Sequence, residues 1–338
     1  MGVVIASHPE TRTEDALERL AALTHAEMER VNALILDRAQ SHVDLVPKLA
    51  HYLIESGGKR LRPMLTIASC ALFGPGNGNQ INYAAAVEFM HNATLLHDDV
   101  VDESDMRRGK PAARKVWGNQ ASVLVGDFLL GQAFLMMVEA GDLKALRVLS
   151  HAATIIAEGE VFQLAKSRDL GATPKDYNEV VRAKTATLFE AATVVGAMAG
   201  GGSEAAQKAL AVYGLELGWA FQLIDDVLDY GGASGRFGKN TGDDLREGKM
   251  TLPVILALEH ADEAERQAIA AALGNHETGI GAVTEIVGIF ERHGALAATL
   301  EQAHAHAEAA KRALSAVPAS TMRDVLADIA DFCVSRAY

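Results

Sequence analysis

Two five-residue clusters with the same spacing constrain the chain most: Asp98-Asp99-Val100-Val101-Asp102 and Asp225-Asp226-Val227-Leu228-Asp229. Each follows an apolar stretch with helical periodicity, and successive residues of a helix turn by about 100°. The three carboxylates of a cluster therefore project at about 0°, 100° and 40° and crowd one side of the rod. Like charges that close repel, so burial raises their pKa values unless cations share the site. An array of hard oxygens with open positions suits magnesium held jointly with a substrate's phosphates. A single such cluster is ordinarily a solvated helix face or a cap; two copies, each preceded by an apolar helix, are not readily read that way.

The rest of the composition narrows the class. The chain has 338 residues, 49% hydrophobic and only 5% aromatic, with Ala, Leu and Val dominant, which favours packed helices over sheets. A formal charge of -13 argues against a nucleic-acid partner, so any phosphate site must be a local basic cluster on an acidic protein. Cys70 and Cys333 lie in apolar helical stretches without metal-type spacing, which points to reduced thiols and a cytoplasmic location. The first residues lack a charged start followed by an apolar core, so no secretory signal is expected. Apolar windows over 121–138 and 185–202 are interrupted by Asp127 and Gln132 or by Glu190 and read as buried helices. No linker, short-period repeat or low-complexity tract divides the chain, so one domain over 1–338 is expected.

Taken in order, the periodicity predicts helices over 12–43 and 45–55, the second ending at Ser56-Gly57-Gly58. Lys59-Arg60-Leu61-Arg62-Pro63 then opens a helix carrying 64–73, where glycines admit a close ligand and cations meet an anion. After a loop over 74–79, a helix over 82–102 ends in the first cluster. On its wheel His91 falls about 20° from Asp98 and Thr94 about 40° away on the other side. A polar turn with Arg107 and Arg108 follows; the planar guanidinium fork suits phosphate oxygens. Helices are predicted over 119–139, 143–167, 176–199 and 204–230. Gln222 falls about 60° from Asp225 on the carboxylate side. A glycine-rich loop over 231–249, with Lys239, Asp243, Asp244 and Lys249, reads as a lid over bound diphosphate. Helical pattern resumes near residue 252, with breaks near 274–281 and at Pro318.

The stretches GGKRLRP at 57–63, HNATLLHDDVVDESDMRRGK at 91–110, KTATLFEAA at 184–192 and AFQLIDDVLDY at 220–230 resemble the trans-isoprenyl diphosphate synthases, or polyprenyl synthetases. Within them the chain looks most like bacterial octaprenyl and decaprenyl diphosphate synthases, which make the side chains of respiratory quinones such as ubiquinone. The resemblance implies an all-α fold, a single large helical bundle of the isoprenoid synthase type around a central cavity. It also implies that Asp98, Asp99 and Asp102 face Asp225, Asp226 and Asp229 and hold about three Mg2+ ions bridged to the allylic diphosphate. Arg107, Lys184, Thr185, Gln222 and Lys239 match the family's allylic-site residues, and Lys59, Arg62, His91 and Arg108 match those that bind isopentenyl diphosphate. Arg60 lies inside the basic motif without matching a ligand.

On that reading Asp98, Asp102, Arg107, Lys184, Asp225 and Lys239 carry the ionisation of the allylic carbon–oxygen bond, because charge developing on the departing diphosphate meets cations already in place. Isopentenyl diphosphate attacks the cation, and the released diphosphate takes the proton. The product is again allylic, so geometry must stop its growth. Ala93 and Thr94 stand where short-chain relatives carry bulky side chains; the wheel supports Thr94 as the one facing the cavity, Ala93 falling about 140° from Asp98. Both are small, which predicts an open tunnel there, with Met137 and Leu149 as candidates for its floor against the plainer reading of core packing. The competing readings are a terpene cyclase, a short-chain synthase and a non-catalytic partner subunit. The second cluster with the basic motif, the small pair Ala93 and Thr94, and the complete motifs argue against them in turn. A homodimer is expected from the resemblance. Contact with a membrane for product release is a hypothesis that the acidic charge does not support.

Overall fold

The computed structural model describes residues 9–55, 57–231 and 242–336. Its helices are α1 Pro9–Arg38, α2 Leu45–Glu55, α3 Leu61–Ala71, α4 Asn79–Val101, α5 Ala113–Trp117, α6 Asn119–Glu139, α7 Leu143–Lys166 and α8 Pro174–Val181. A π-helical turn over Arg182–Ala186 joins α8 to α9 Thr187–Ala199, followed by α10 Glu204–Tyr230, α11 Asp243–Arg246 and α12 Leu252–His260. The chain continues through α13 Glu263–Ala272, α14 Ile280–Arg292, α15 Ala295–Ala313 and α16 Thr321–Ser335. The strand structure described is a hairpin of two-residue strands, β1 Met106–Arg107 and β2 Lys110–Pro111, inside the polar turn.

Local chemistry sets most boundaries. Asp142 caps α7 by accepting from the amides of Lys144 and Ala145, and Thr173 with Asp176 forms a capping box before Pro174 at the start of α8. The helix before the first cluster begins at Asn79 rather than near residue 82, because Asn77 and Gln80 side chains take the amides of Asn79 and Gly78. The helix opened by the basic motif begins at Leu61, within that motif, with Pro63 in its first turn and Arg60 in the left-handed region at φ 46°. The first helix stops at Arg38, short of residue 43. The stretch predicted as one helix over 176–199 is α8, the π turn and α9. Within the loop over 231–249, Asp243–Arg246 forms a helical turn, and α5 is an element that periodicity did not reveal.

The bundle is built around α4. Its residues 83–90 are all buried, including Glu88, so this helix is apolar nearly all round and sits among neighbours. It packs on α6, α3 and α9, while α10 packs on α9 and α15, and α1 lies against α16. Fully buried Phe89, Phe189 and Tyr213 fill this core, each stabilising the fold by roughly 1.5–3 kcal/mol relative to exposure. A smaller apolar cluster, with Leu245, Ile269, Ile286 and Phe290, lies beneath α11 to α14 and against Tyr230 at the end of α10. The arrangement brings the ends of α4 and α10, and hence both acidic clusters, together with the π turn and α11.

Candidate active site

Two polar ladders join the clusters. In the first, Lys184 Nζ lies 3.5 Å from Asp98, its neighbour Thr185 donates to Gln222 Oε1 at 2.8 Å, and Gln222 Nε2 donates to Asp226 at 2.8 Å. In the second, Lys249 Nζ lies 2.9 Å from Asp102 and 3.6 Å from Asp244, whose amide donates to Asp229 at 3.1 Å. Lys184, Thr185, Gln222, Asp226, Asp244 and Lys249 all line one cavity. Its location follows from the π turn, which sets Lys184 and Thr185 between α7 and α10.

The middle carboxylate of each cluster turns away from its neighbours. Asp99 is fully buried and accepts from Arg107 Nε at 2.8 Å; burial raises its pKa, and Arg107 pulls against that rise. Asp226 accepts from the Tyr177 hydroxyl at 2.6 Å besides Gln222. Burial, with the charge of Asp244, pushes Asp226 up to about 7 in spite of these hydrogen bonds. The outer carboxylates differ again. Burial raises the Asp102 pKa, but Lys249 and Lys184 outweigh it and hold the group below its usual range. Asp225 is partly exposed and accepts from Arg336, close to the C-terminus.

No three carboxylate, histidine or thiolate side chains among the described residues form a ready metal cage. The donor set nevertheless fits a hard divalent ion. Asp98 and Asp102 sit against the cavity-lining lysines Lys184 and Lys249, Asp226 lines the cavity from α10 with Asp225 next to it in the chain, and magnesium keeps waters and shares substrate phosphates instead of needing a cage made only of protein. Lysines hold Asp98 and Asp102 in the arrangement described.

The basic motif forms a second, electropositive group. Arg62 is half-buried, stacks 4.4 Å over the Phe189 ring and lies 3.4 Å from His91 Nε2. Burial lowers its pKa to about 10, partly offset by Glu88 and Asp225. His91 is held well below its ordinary value by burial and then by Arg62, Arg108 and Arg107, so its ring is neutral. Arg108, also lowered by burial, donates to the Gly57 carbonyl, and its guanidinium lies 2.7 Å from where a Cβ on Gly58 would stand. A side chain at position 58 would therefore displace the Arg108 guanidinium from this place. Lys59 lies 4.5 Å over the Phe332 ring, and Arg60 points elsewhere, to Asn32 of α1.

Of the positions expected to set chain length, Ala93, Met137 and Leu149 are packed in the main core, and Thr94 is partly exposed with its hydroxyl on the His91 carbonyl at 2.8 Å. None of the four lines the cavity between the ladders. Lys239 lies outside the described residues. Sequence reasoning missed Glu160, Tyr177, Glu88 and Arg336 as parts of the site; it placed Lys249 in a lid over diphosphate and named Asp244 only as a residue of that loop. Glu160 had a weak signal, an acidic residue in an apolar stretch, but Glu158 beside it has the same signal and is exposed.

Comparison with known proteins agrees with this geometry. The family model described as polyprenyl synthetase matches residues 43–290. The octaprenyl diphosphate synthase of Escherichia coli is 43% identical over 320 residues, covering 95% of this chain and 99% of that protein. Among solved structures, a polyprenyl synthase from Caulobacter crescentus in complex with calcium and isoprenyl diphosphate is 50% identical, with a TM-score of 0.91 over 95% of this chain and 98% of that one. A decaprenyl diphosphate synthase from Rhodobacter capsulatus is 46% identical, with a TM-score of 0.90 over 95% and 99%. The chain belongs to the polyprenyl synthetase family and is a prenyltransferase.

Proposed function

We propose that the protein is a long-chain trans-polyprenyl diphosphate synthase, condensing isopentenyl diphosphate head to tail with an allylic diphosphate such as farnesyl diphosphate. The expected product, of octaprenyl to decaprenyl length, serves quinone side chains. The observation that carries this reading is the separation of two anion sites. One is the cavity where carboxylates and lysines alternate; the other is the group Arg62, His91 and Arg108, in which the half-buried Arg62 and His91 lie against each other and the guanidinium of Arg108, open to solvent, repels that of Arg62. An incoming diphosphate relieves that repulsion without a metal ion.

Magnesium, held by Asp98, Asp102 and Asp225 with Asp99, Asp226 and Asp229 supporting them, supplies charge neutralisation at the departing diphosphate when bound. Lys184, Lys249 and Arg107 face the same anion, and their charges are already in place, so little reorganisation accompanies ionisation. Gln222 and Thr185 fix the register between the two helices. Arg62 and Arg108 hold the second diphosphate so that its double bond can approach the allylic carbon. No carboxylate is needed as base, because the released diphosphate takes the proton.

A homodimer belongs to the same proposal. The α6–α7 hairpin leaves Leu124, Leu135, Val138, Leu143, Val161 and Leu164 exposed, large apolar side chains that a partner could cover. Helix α6 is also long and apolar enough to cross a membrane, but it packs along α4, and its exposed residues fit a second copy of the chain. A cytoplasmic location is supported by the two free, buried thiols.

The test is product analysis of the purified protein given magnesium, farnesyl diphosphate and excess isopentenyl diphosphate, by mass spectrometry after phosphatase treatment. Octaprenyl to decaprenyl alcohols are expected. A farnesyl or geranylgeranyl limit would overturn the long-chain assignment, and absence of elongation would overturn the reaction. Thr94→Tyr shortens the product in this assay; unchanged length would place the growing tail elsewhere.

A further inference from the structure

Lys184 carries two carboxylates at once, Glu160 at 2.8 Å and Asp98 at 3.5 Å, with only 21% of its own side chain exposed. A lysine so enclosed needs a matching charge within reach in every state of the site. Asp98 belongs to the cluster read as holding divalent ions, and a carboxylate oxygen engaged with a metal is less available to an ammonium. Glu160 is outside both clusters. It approaches from α7, where Gly159 lets the helix close on the π turn; a Cβ at that glycine would lie 2.4 Å from Ala183 Cβ and 3.3 Å from the Lys184 amide. The second oxygen of Glu160, Oε1, is buried without a hydrogen-bond partner among the described residues, so the carboxylate's hydrogen bond is the one from Lys184.

We infer that Glu160 is a positioning residue that retains Lys184 when Asp98 turns to a divalent ion, so that the lysine does not compete with the metal for Asp98. The inference rests on the reading of Asp98 as a metal ligand. Its consequence is specific. Glu160→Gln keeps the side-chain shape, removes the charge, and leaves Lys184 to Asp98, so divalent-ion affinity falls although no ligand has been altered.

The experiment measures Mn2+ binding directly, by electron paramagnetic resonance in the presence of inorganic diphosphate. It compares the wild type, E160Q, K184M and the double variant, with thermal melting to verify folding. E160Q is expected to weaken Mn2+ binding about fivefold in the wild-type background and no more than about twofold beside K184M, because the effect passes through the lysine. Unchanged binding in E160Q overturns the inference. An equal loss in both backgrounds also overturns it, since Glu160 would then act on the ion directly. If the wild type itself binds no Mn2+ with diphosphate, the metal reading fails, and the inference fails with it.

Discussion

The two acidic clusters share one spacing but rest on different physics. At the end of α4 each carboxylate is met by a cation: Asp98 by Lys184, Asp99 by Arg107 and Asp102 by Lys249. At the end of α10 the buried Asp226 is met by neutral donors, Tyr177 and Gln222, while Asp229 accepts from the Asp244 amide among its contacts and Arg336 pairs with the outer Asp225. Cationic partners hold Asp102 below its usual range and pull against the rise that burial imposes on Asp99, whereas burial raises Asp226 in the second cluster in spite of its hydrogen bonds. Identical motifs do not imply identical electrostatics, because the motif fixes where carboxylates lie around one helix and the rest of the fold chooses what faces them.

This contrast can be broken most severely at the outer carboxylates. Asp98→Ala removes a metal oxygen and also leaves Lys184 with one carboxylate, so a loss of about 10³-fold in magnesium-dependent turnover is expected, against about 10² for Asp225→Ala. Steady-state kinetics at saturating magnesium checks the order. A smaller loss for Asp98 than for Asp225 would remove the distinction between the clusters.

Stability sharpens the comparison at the middle carboxylates. Arg107→Met leaves Asp99 buried and unpaired, which should cost about 3–5 kcal/mol in denaturant unfolding. Tyr177→Phe removes one neutral donor from Asp226 and should cost only about 1–3 kcal/mol. Equal costs would mean that the cationic partner of Asp99 contributes no more than a hydroxyl.

A smaller effect is expected far from both clusters, at Glu265. Hydrogen bonds from His293 and Arg292 lower its pKa from 4.5 to about 2. Because the folded value lies below the unfolded one, the stabilisation is present above the unfolded pKa and disappears as pH falls from 4.5 towards about 2. Glu265→Gln should therefore lower the melting temperature slightly near neutrality and flatten its dependence in that acid window. An unchanged acid profile would show that the pair is screened by solvent.

Much of the site was legible because its signals are local. The spacing in each cluster, the glycines before Lys59 and the paired arginines at 107 and 108 state their chemistry within a few residues. Helix ends at Glu55, Glu139 and Tyr230 were legible for the same reason, being marked by glycines or by a change of periodicity. Glu160 and Tyr177 were not legible, since each reaches a partner 24 or 49 residues away. The π turn that aims Lys184 was equally hidden, because it is a single local turn over Arg182–Ala186 with no residue signature of its own.

The sequence by itself determined that the chain is helical, that two sets of three carboxylates lie at helix ends, and that basic groups follow glycines close to them. Those are consequences of a fixed turn per residue and of charges that cannot be buried alone. Only the tertiary structure decided that Asp226 is the cluster carboxylate lining the cavity, which cation answers each carboxylate of the first set, and that Glu160, Tyr177 and Arg336 belong to the site. Such pairings depend on contacts between elements distant in the chain, and burial gives the same residue type a different charge balance at each of them.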